Sequence, residues 1–251
     1  MAGLRIAAAQ SATIPGGIAA NVAHHGIFID AAAKAGVRLL VFPELSLCGY
    51  DLPALADAAL ASDDVRLEPL REQAQANGMT IVSGAALANR NGLPFIGALA
   101  FQADGRTISY RKHFLHPGED RYAAPGSAIS GLIDVRGVPV ALAICADTTH
   151  QAHPHAAVLA GATLYVAGSL ITPGGYVKDA TQLASHARQF SVGILMANHA
   201  FESGGNISAG RSAVWMPDGQ LLVAADGQGE LLVMADEDSG AVLPVTTGFS
   251  L

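Results

Sequence analysis

The chain has 251 residues, 51% of them hydrophobic and 14% charged, which is enough apolar length to bury a core as one α/β unit. Its net charge of -7, with 14 Lys and Arg scattered along it, argues against a surface that binds nucleic-acid phosphates. No apolar run reaches the roughly 18 residues of a membrane span, and the start, Met1-Ala2-Gly3-Leu4-Arg5-Ile6, lacks a charged leader region. The expectation is a cytoplasmic protein with neither membrane nor nucleic acid among its partners, and with Cys48 and Cys145 as free thiols.

Residues 4–9 read as a buried strand, followed by a turn at Pro15-Gly16-Gly17 and a helix over 18–35 that stops at Gly36. A second buried strand covers 37–42, a helix 64–77 with Gly78 as its stop, and a strand 80–87. Residues 93–102 and 107–111 flank Ala103-Asp104-Gly105-Arg106, a hairpin signature that makes them antiparallel neighbours. Further on, strands are predicted over 132–135 and 138–145, a helix to 159, a strand 162–167, a helix 179–190 and a strand 193–198. The last third offers strands 212–216 and 221–225 around Pro217-Asp218-Gly219, then 229–236.

An alanine-rich helix leads into Ala35-Gly36-Val37-Arg38-Leu39-Leu40-Val41, and another into Ala160-Gly161-Ala162-Thr163-Leu164-Tyr165-Val166. This echo suggests two related halves. Two mixed sheets packed face to face with helices outside would bury both sets of apolar strands, which predicts a four-layer αββα sandwich over residues 1–251. A doubly wound sheet is the alternative, because pattern alone does not set strand order.

Three residues stand at predicted strand ends. Cys145 closes Val140-Ala141-Leu142-Ala143-Ile144 and precedes Thr148-Thr149, a pair able to cap a following helix. There a thiol would meet a helix N-terminus, which lowers its pKa and supplies N–H groups to an oxyanion, although such a cysteine also serves as a small buried hydrophobe. Glu44 follows Phe42-Pro43, where proline ends the ladder; its carboxyl is a general-base candidate or a salt-bridged structural group. Lys112 ends Ile108-Ser109-Tyr110-Arg111 and is either a solvated charge or a fixed cation beside a reacting carbonyl.

Together these residues resemble the nitrilase superfamily of carbon–nitrogen hydrolases. The resemblance rests on Phe42-Pro43-Glu44 with Gly49-Tyr50, Tyr110-Arg111-Lys112 with Leu115, and Cys145-Ala146-Asp147. It extends to Glu119-Asp120-Arg121-Tyr122 with Pro125-Gly126, to Ala197-Asn198, and to Ser212 with Pro217-Asp218-Gly219. It implies that Cys145 is the nucleophile, Glu44 the general base and Lys112 the oxyanion stabiliser, with Glu119 orienting lysine and substrate. Ala146 would lend its backbone N–H to the oxyanion hole, with Tyr50 and Asn198 as further substrate contacts. The family implies an αββα fold that dimerises, a small amide as substrate, and no cofactor.

The chain departs from the pattern in two places. Phe114 stands where many members have histidine, and Ala146-Asp147-Thr148-Thr149-His150-Gln151 replaces the usual stretch after the cysteine. The missing tryptophan after Cys145 favours an amidase over a nitrile hydrolase, with an N-carbamoyl hydrolase as a further alternative. His150, His153 and His155 raise a metal-dependent hydrolase, but Pro154 is expected to break the helix between them. A non-catalytic binding protein on the same fold would be expected to lack one of Glu44, Lys112, Glu119 or Cys145. Cys48 reads as structural, and Pro173-Gly174-Gly175-Tyr176 and Ser203-Gly204-Gly205-Asn206 as mobile loops near the mouth.

Overall fold

Short apolar runs form two sheets in the computed structural model, which describes residues 3–14, 17–127 and 131–247. The expected turn at Pro15-Gly16-Gly17 lies largely outside the described residues. The first sheet is built from β1 (Ile6–Gln10), β2 (Leu39–Val41), β3 (Thr80–Leu87), β4 (Phe95–Phe101), β5 (Thr107–Arg111), β12 (Leu231–Ala235) and β13 (Gly240–Pro244). The second contains β6 (Leu132–Val135), β7 (Val138–Ile144), β8 (Leu164–Ser169), β9 (Gly193–Asn198), β10 (Ala213–Trp215) and β11 (Leu221–Ala224). Among the described residues four α-helices join parallel strands: α1 (Ile18–Lys34), α2 (Glu68–Ala76), α3 (Ala152–Leu159) and α4 (Pro173–Phe190).

The strand orders are β13-β12-β1-β2-β3-β4-β5 and β11-β10-β9-β8-β7-β6. From β12 to β5 the pairings run antiparallel, parallel, parallel, antiparallel, antiparallel. From β6 to β11 they run in the same order. The repeat suggested by the alanine-rich helices is therefore a repeat of topology, with β13 added at one edge. Gly36 after α1 and Gly161 after α3 both have left-handed backbone, φ 77° and 103°, which reverses the chain into β2 and β8.

Alternation along each strand sorts the side chains into layers. Ile6 and Ala8, with Leu39 and Val41, face Val140, Leu142, Val166 and Leu195 in a core between the sheets. Ala7, Ala9 and Leu40 face Phe28, Ile29 and Leu70 of α1 and α2. Ala141, Tyr165 and Ala167 face Ala157, Leu183 and Ala187 of α3 and α4. This is the four-layer αββα sandwich, and the doubly wound alternative falls away.

Several boundaries differ from those expected. The segment expected as a helix from residue 64 begins as a 3-10 turn, Val65–Leu67, with Asp64 accepting from the Arg66 amide at 2.9 Å. Residues 173–176 are not a loop but the first turn of α4, since Pro173 occupies a position whose N–H has no helical partner. For the same reason Pro154 sits inside the first turn of α3 without breaking it. Strand β13, exposed along its whole length, has no buried face to leave a pattern and was not foreseen. No helix among the described residues is long and apolar enough to cross a membrane.

Candidate active site

The carboxyl ends of the parallel strands converge on one cavity, as is usual for sheets with crossover helices. After β2 the chain enters a turn, and the main chain around Glu44 is wedged between the two sheets. A Cβ on Gly84 of β3 would stand 2.3 Å from Pro43 O and Leu45 N, and one on Gly168 of β8 would stand 2.7 Å from Phe42 O. Only two residues without side chains let this turn pass. Leu45 takes the left-handed conformation, φ 51°, so the turn is strained. Ser46 Oγ accepts from Gly84 N at 3.0 Å, and His199 Nε2 donates to Glu44 O at 2.7 Å.

Lys112 has no exposed side-chain surface, and its Nζ lies 2.6 Å from Glu44 Oε1 and 2.8 Å from Glu119 Oε1. Tyr50 Oη donates to the same Glu119 oxygen at 2.6 Å, and Glu119 Oε2 accepts from His116 N at 2.8 Å. A buried ammonium beside one carboxylate that is itself fixed by two further donors cannot swing away. Burial pushes Glu44 up to about 7 against the pull of Lys112, with Glu119 pushing further upward. Burial works against the charge of Lys112, but Glu44, Cys145 and Glu119 hold its pKa above the usual lysine value. Glu44 Oε2 is a buried oxygen without a hydrogen-bond partner, and the Cys145 thiol is close enough to draw the carboxyl's pKa down.

Cys145 is not the last residue of its strand but the first of a 3-10 turn, Cys145–Thr149, with φ 42°. Left-handed backbone at a non-glycine residue is strained and found where a side chain must be presented. Sγ lies 3.8 Å from Leu170 O. Burial, then the Glu44 carboxylate, raises the thiol pKa despite Lys112. The expectation of a lowered pKa at a helix N-terminus is thus corrected, because desolvation and a neighbouring anion outweigh a short turn. The threonines do not cap α3 either: Thr148 and Thr149 hydroxyls donate to Cys145 O and Ala146 O at 2.8 and 2.9 Å.

Cys145, Ala146 and Tyr50 line a cavity of about 660 Å3, together with His116, Leu170, Lys178 and Asp179. Glu44, Lys112 and Glu119 lie buried behind that wall. Asn198, expected as a substrate contact, is instead fully buried: its amide bridges Ile171 N and O at 2.8 and 3.0 Å and Gly210 O at 2.8 Å. It shapes the wall through Ile171, which lines the cavity. Asn206 of the expected glycine-rich loop does reach the cavity. The three histidines are engaged separately, His150 with Ala146 O, His153 with Tyr110 and Tyr165, and His155 in a stack on Phe190. Cys48 packs against the core between the sheets, its thiol pushed up to about 11 by burial. Sequence reasoning assigned no role to Asp147, though it stands in the cysteine motif, and none to His199; both are fully buried, and an ionisable residue inside an apolar context was the available signal.

Comparison with known proteins gives a consistent picture. The family model for carbon–nitrogen hydrolases matches residues 5–244. A hydrolase of Mycobacterium tuberculosis is 30% identical over 256 residues, spanning 94% of this chain and 89% of its own. A glutamine-dependent NAD(+) synthetase of the same organism is 29% identical over 89% of this chain but only 36% of the synthetase. Among solved structures, a mutant of a Nesterenkonia AN1 amidase from the nitrilase superfamily superposes with a TM-score of 0.82 and 25% identity, over 93% of this chain and 91% of that one.

Proposed function

The chain belongs to the carbon–nitrogen hydrolase family, and on that premise we propose that it is an amidase that hydrolyses a small non-peptide amide through a thioester on Cys145. The observation that carries this reading is the fully buried Lys112, held at 2.6 and 2.8 Å by Glu44 and Glu119 behind the cavity wall formed by Cys145. Amide carbonyls are weak electrophiles, so attack needs a strong nucleophile and a preorganised cation for the oxyanion.

In the proposed cycle Glu44 Oε2 takes the Cys145 proton as sulfur bonds to the carbonyl carbon. Lys112 Nζ and the Ala146 N–H stabilise the negative oxygen. Collapse of the tetrahedral intermediate breaks the C–N bond, and Glu44 returns the proton to the departing amine. Water then gives a proton to Glu44 as its oxygen attacks the thioester; collapse breaks the C–S bond, Glu44 returns that proton to the departing sulfur, and the carboxylic acid and the Cys145 thiol are released. A carboxyl that titrates near 7 suits both halves, since it gives and takes protons at similar cost. Glu119 and Tyr50 hold Lys112 in place, and no step calls for a cofactor. Within this reading the enzyme works in the cytoplasm, as a homodimer or larger homo-oligomer.

The likeness to a glutamine-dependent enzyme puts glutamine in the test panel beside simple aliphatic amides, nitriles and N-carbamoyl compounds. Mass spectrometry of the wild type should reveal an acyl adduct on Cys145, with ammonia released from amides. A Cys145→Ala protein that still turned over amides would overturn the assignment, and adducts from nitriles alone would replace the amide reading.

A further inference from the structure

Chemistry on a bound carbonyl requires the end of β5, which carries Lys112, to keep a fixed relation to the turn after β7, which carries Cys145. One buried side chain joins these segments. Asp147 Oδ1 accepts from His113 N at 3.1 Å and Phe114 N at 2.8 Å. Its Oδ2 accepts from Ile144 N at 3.0 Å and from Tyr110 Oη at 2.6 Å. The donors therefore come from both sides of Lys112 and from the residue before Cys145.

A second line of bonds stiffens the clamp. Because the Tyr110 hydroxyl proton goes to Asp147, its oxygen accepts from His153 Nε2–H, 2.8 Å away. That leaves His153 Nδ1 bare to accept from the Tyr165 hydroxyl at 2.9 Å. Burial lowers the pKa of His153, consistent with the neutral ring this pattern needs. The Phe114 ring also stacks on His150, centroids 4.0 Å apart, and His150 Nδ1 lies 2.9 Å from Ala146 O. The residue that stands where many relatives have histidine thus ties the lysine segment to the cysteine turn.

We propose that Asp147 is a positioning residue, its carboxylate setting Lys112 against Cys145 without itself touching the substrate. The inference rests on the catalytic roles proposed above for those two residues. Asp147 does not line the cavity. An asparagine in its place keeps one acceptor for His113 and Phe114 but turns an NH2 group toward the Ile144 N–H, donor against donor. The segments should then shift by a fraction of an ångström, and misplacement of that order lowers turnover by about 10- to 100-fold.

The test compares wild type with Asp147→Asn. Amide kcat and the acylation burst with p-nitrophenyl acetate should fall by about 10- to 100-fold, with KM within about twofold. Alkylation of Cys145 by iodoacetamide forms no oxyanion and should stay within about twofold, with the thermal midpoint above the assay temperature. Unchanged kcat, or alkylation and turnover falling together, would overturn the proposal. If Asp147→Asn fails to fold, Tyr110→Phe, which leaves three donors on the carboxylate, should give the same pattern at a few-fold size; wild-type kcat there overturns it. A wild type that turns over no amide would sink the amide reading alone, because the ester burst still reads Asp147.

Discussion

His199 Nε2 lies 2.7 Å from the main-chain oxygen of Glu44, a contact between residues 155 positions apart. The carbonyl only accepts, so the ring carries its proton on Nε2, and Nδ1 is left to accept from Thr13 Oγ1 at 3.4 Å. Burial lowers the His199 pKa to about 4, which keeps the ring neutral. His199→Phe keeps a ring but orphans a buried carbonyl, at a cost of about 1–3 kcal/mol. A lower thermal midpoint and a several-fold loss of kcat are expected; an unchanged kcat in calorimetry-matched samples would show that this bond does not hold the carboxyl in place.

The pH profile should follow Glu44. Its carboxyl must be ionised to take the thiol proton, so kcat/KM should rise with pH through about 7. Glu119 pushes that pKa upward, so Glu119→Gln should move the acid limb to lower pH while reducing kcat. A limb that stays at the ordinary carboxylate value in the wild type would contradict the role given to Glu44.

Gly84→Ala and Gly168→Ala should each disturb the Glu44 turn, because an added Cβ meets main chain at 2.3 and 2.7 Å. Forced overpacking of this kind costs about 1–3 kcal/mol. Chemical denaturation should report that loss, and amide turnover should fall more than the folded fraction does. Gly174→Ala, where an added Cβ meets nothing and the backbone, as at Gly84 and Gly168, is not left-handed, is the control that adds a methyl group without the clash.

The two thiols should differ under limited alkylation. Burial raises the pKa of both thiols, but Cys145 lines the cavity beside Glu44, which can take its proton, whereas Cys48 packs against the core between the sheets. Peptide mapping after brief iodoacetamide treatment near neutral pH should find label on Cys145 and little on Cys48. Glu44→Gln should slow labelling of Cys145, and equal labelling of both cysteines would count against an activated thiol.

Acid should destabilise the fold through its buried histidines, opposed in part by the Glu44 carboxyl, whose pKa of about 7 makes the folded state the better proton binder as pH falls. His25 and His199 are buried with pKa values lowered by desolvation, so they bind protons more readily when unfolded. Their stabilising effect is present above about 6.5, the unfolded value, and is lost as pH falls towards the His199 value of about 4. Thermal midpoints measured across that window should decline with falling pH, and less steeply in a variant with His25→Phe. A slope left unchanged by His25→Phe would contradict neutral burial of this ring.

Local patterns carried much of this protein. Apolar runs marked most strands, Gly36 and Gly78 marked helix ends, and the echo between the alanine-rich segments foretold a repeat that the two sheets show as matching pairing order. Glu44, Lys112 and Cys145 were candidates at predicted strand ends that local pattern left open to structural readings, and only their order, together with Glu119, resembled a known family. Strand β13 and the Pro173 helix start were not, since an exposed edge strand has no buried face and Pro-Gly-Gly signals a turn as readily as a helix start.

The roles of Asn198, His199 and Asp147 depended on tertiary structure alone. Apart from the local bond of Asp147 to Ile144 N, the partners Ile171 of Asn198, Glu44 of His199 and His113 of Asp147 lie 27 to 155 positions away, so no local spacing encodes those contacts. The sequence determined which elements form and which groups can do chemistry. Packing of the two sheets decided that Gly84 and Gly168 face one another across the Glu44 turn, and that the thiol pKa rises, because desolvation exists only once the walls have closed.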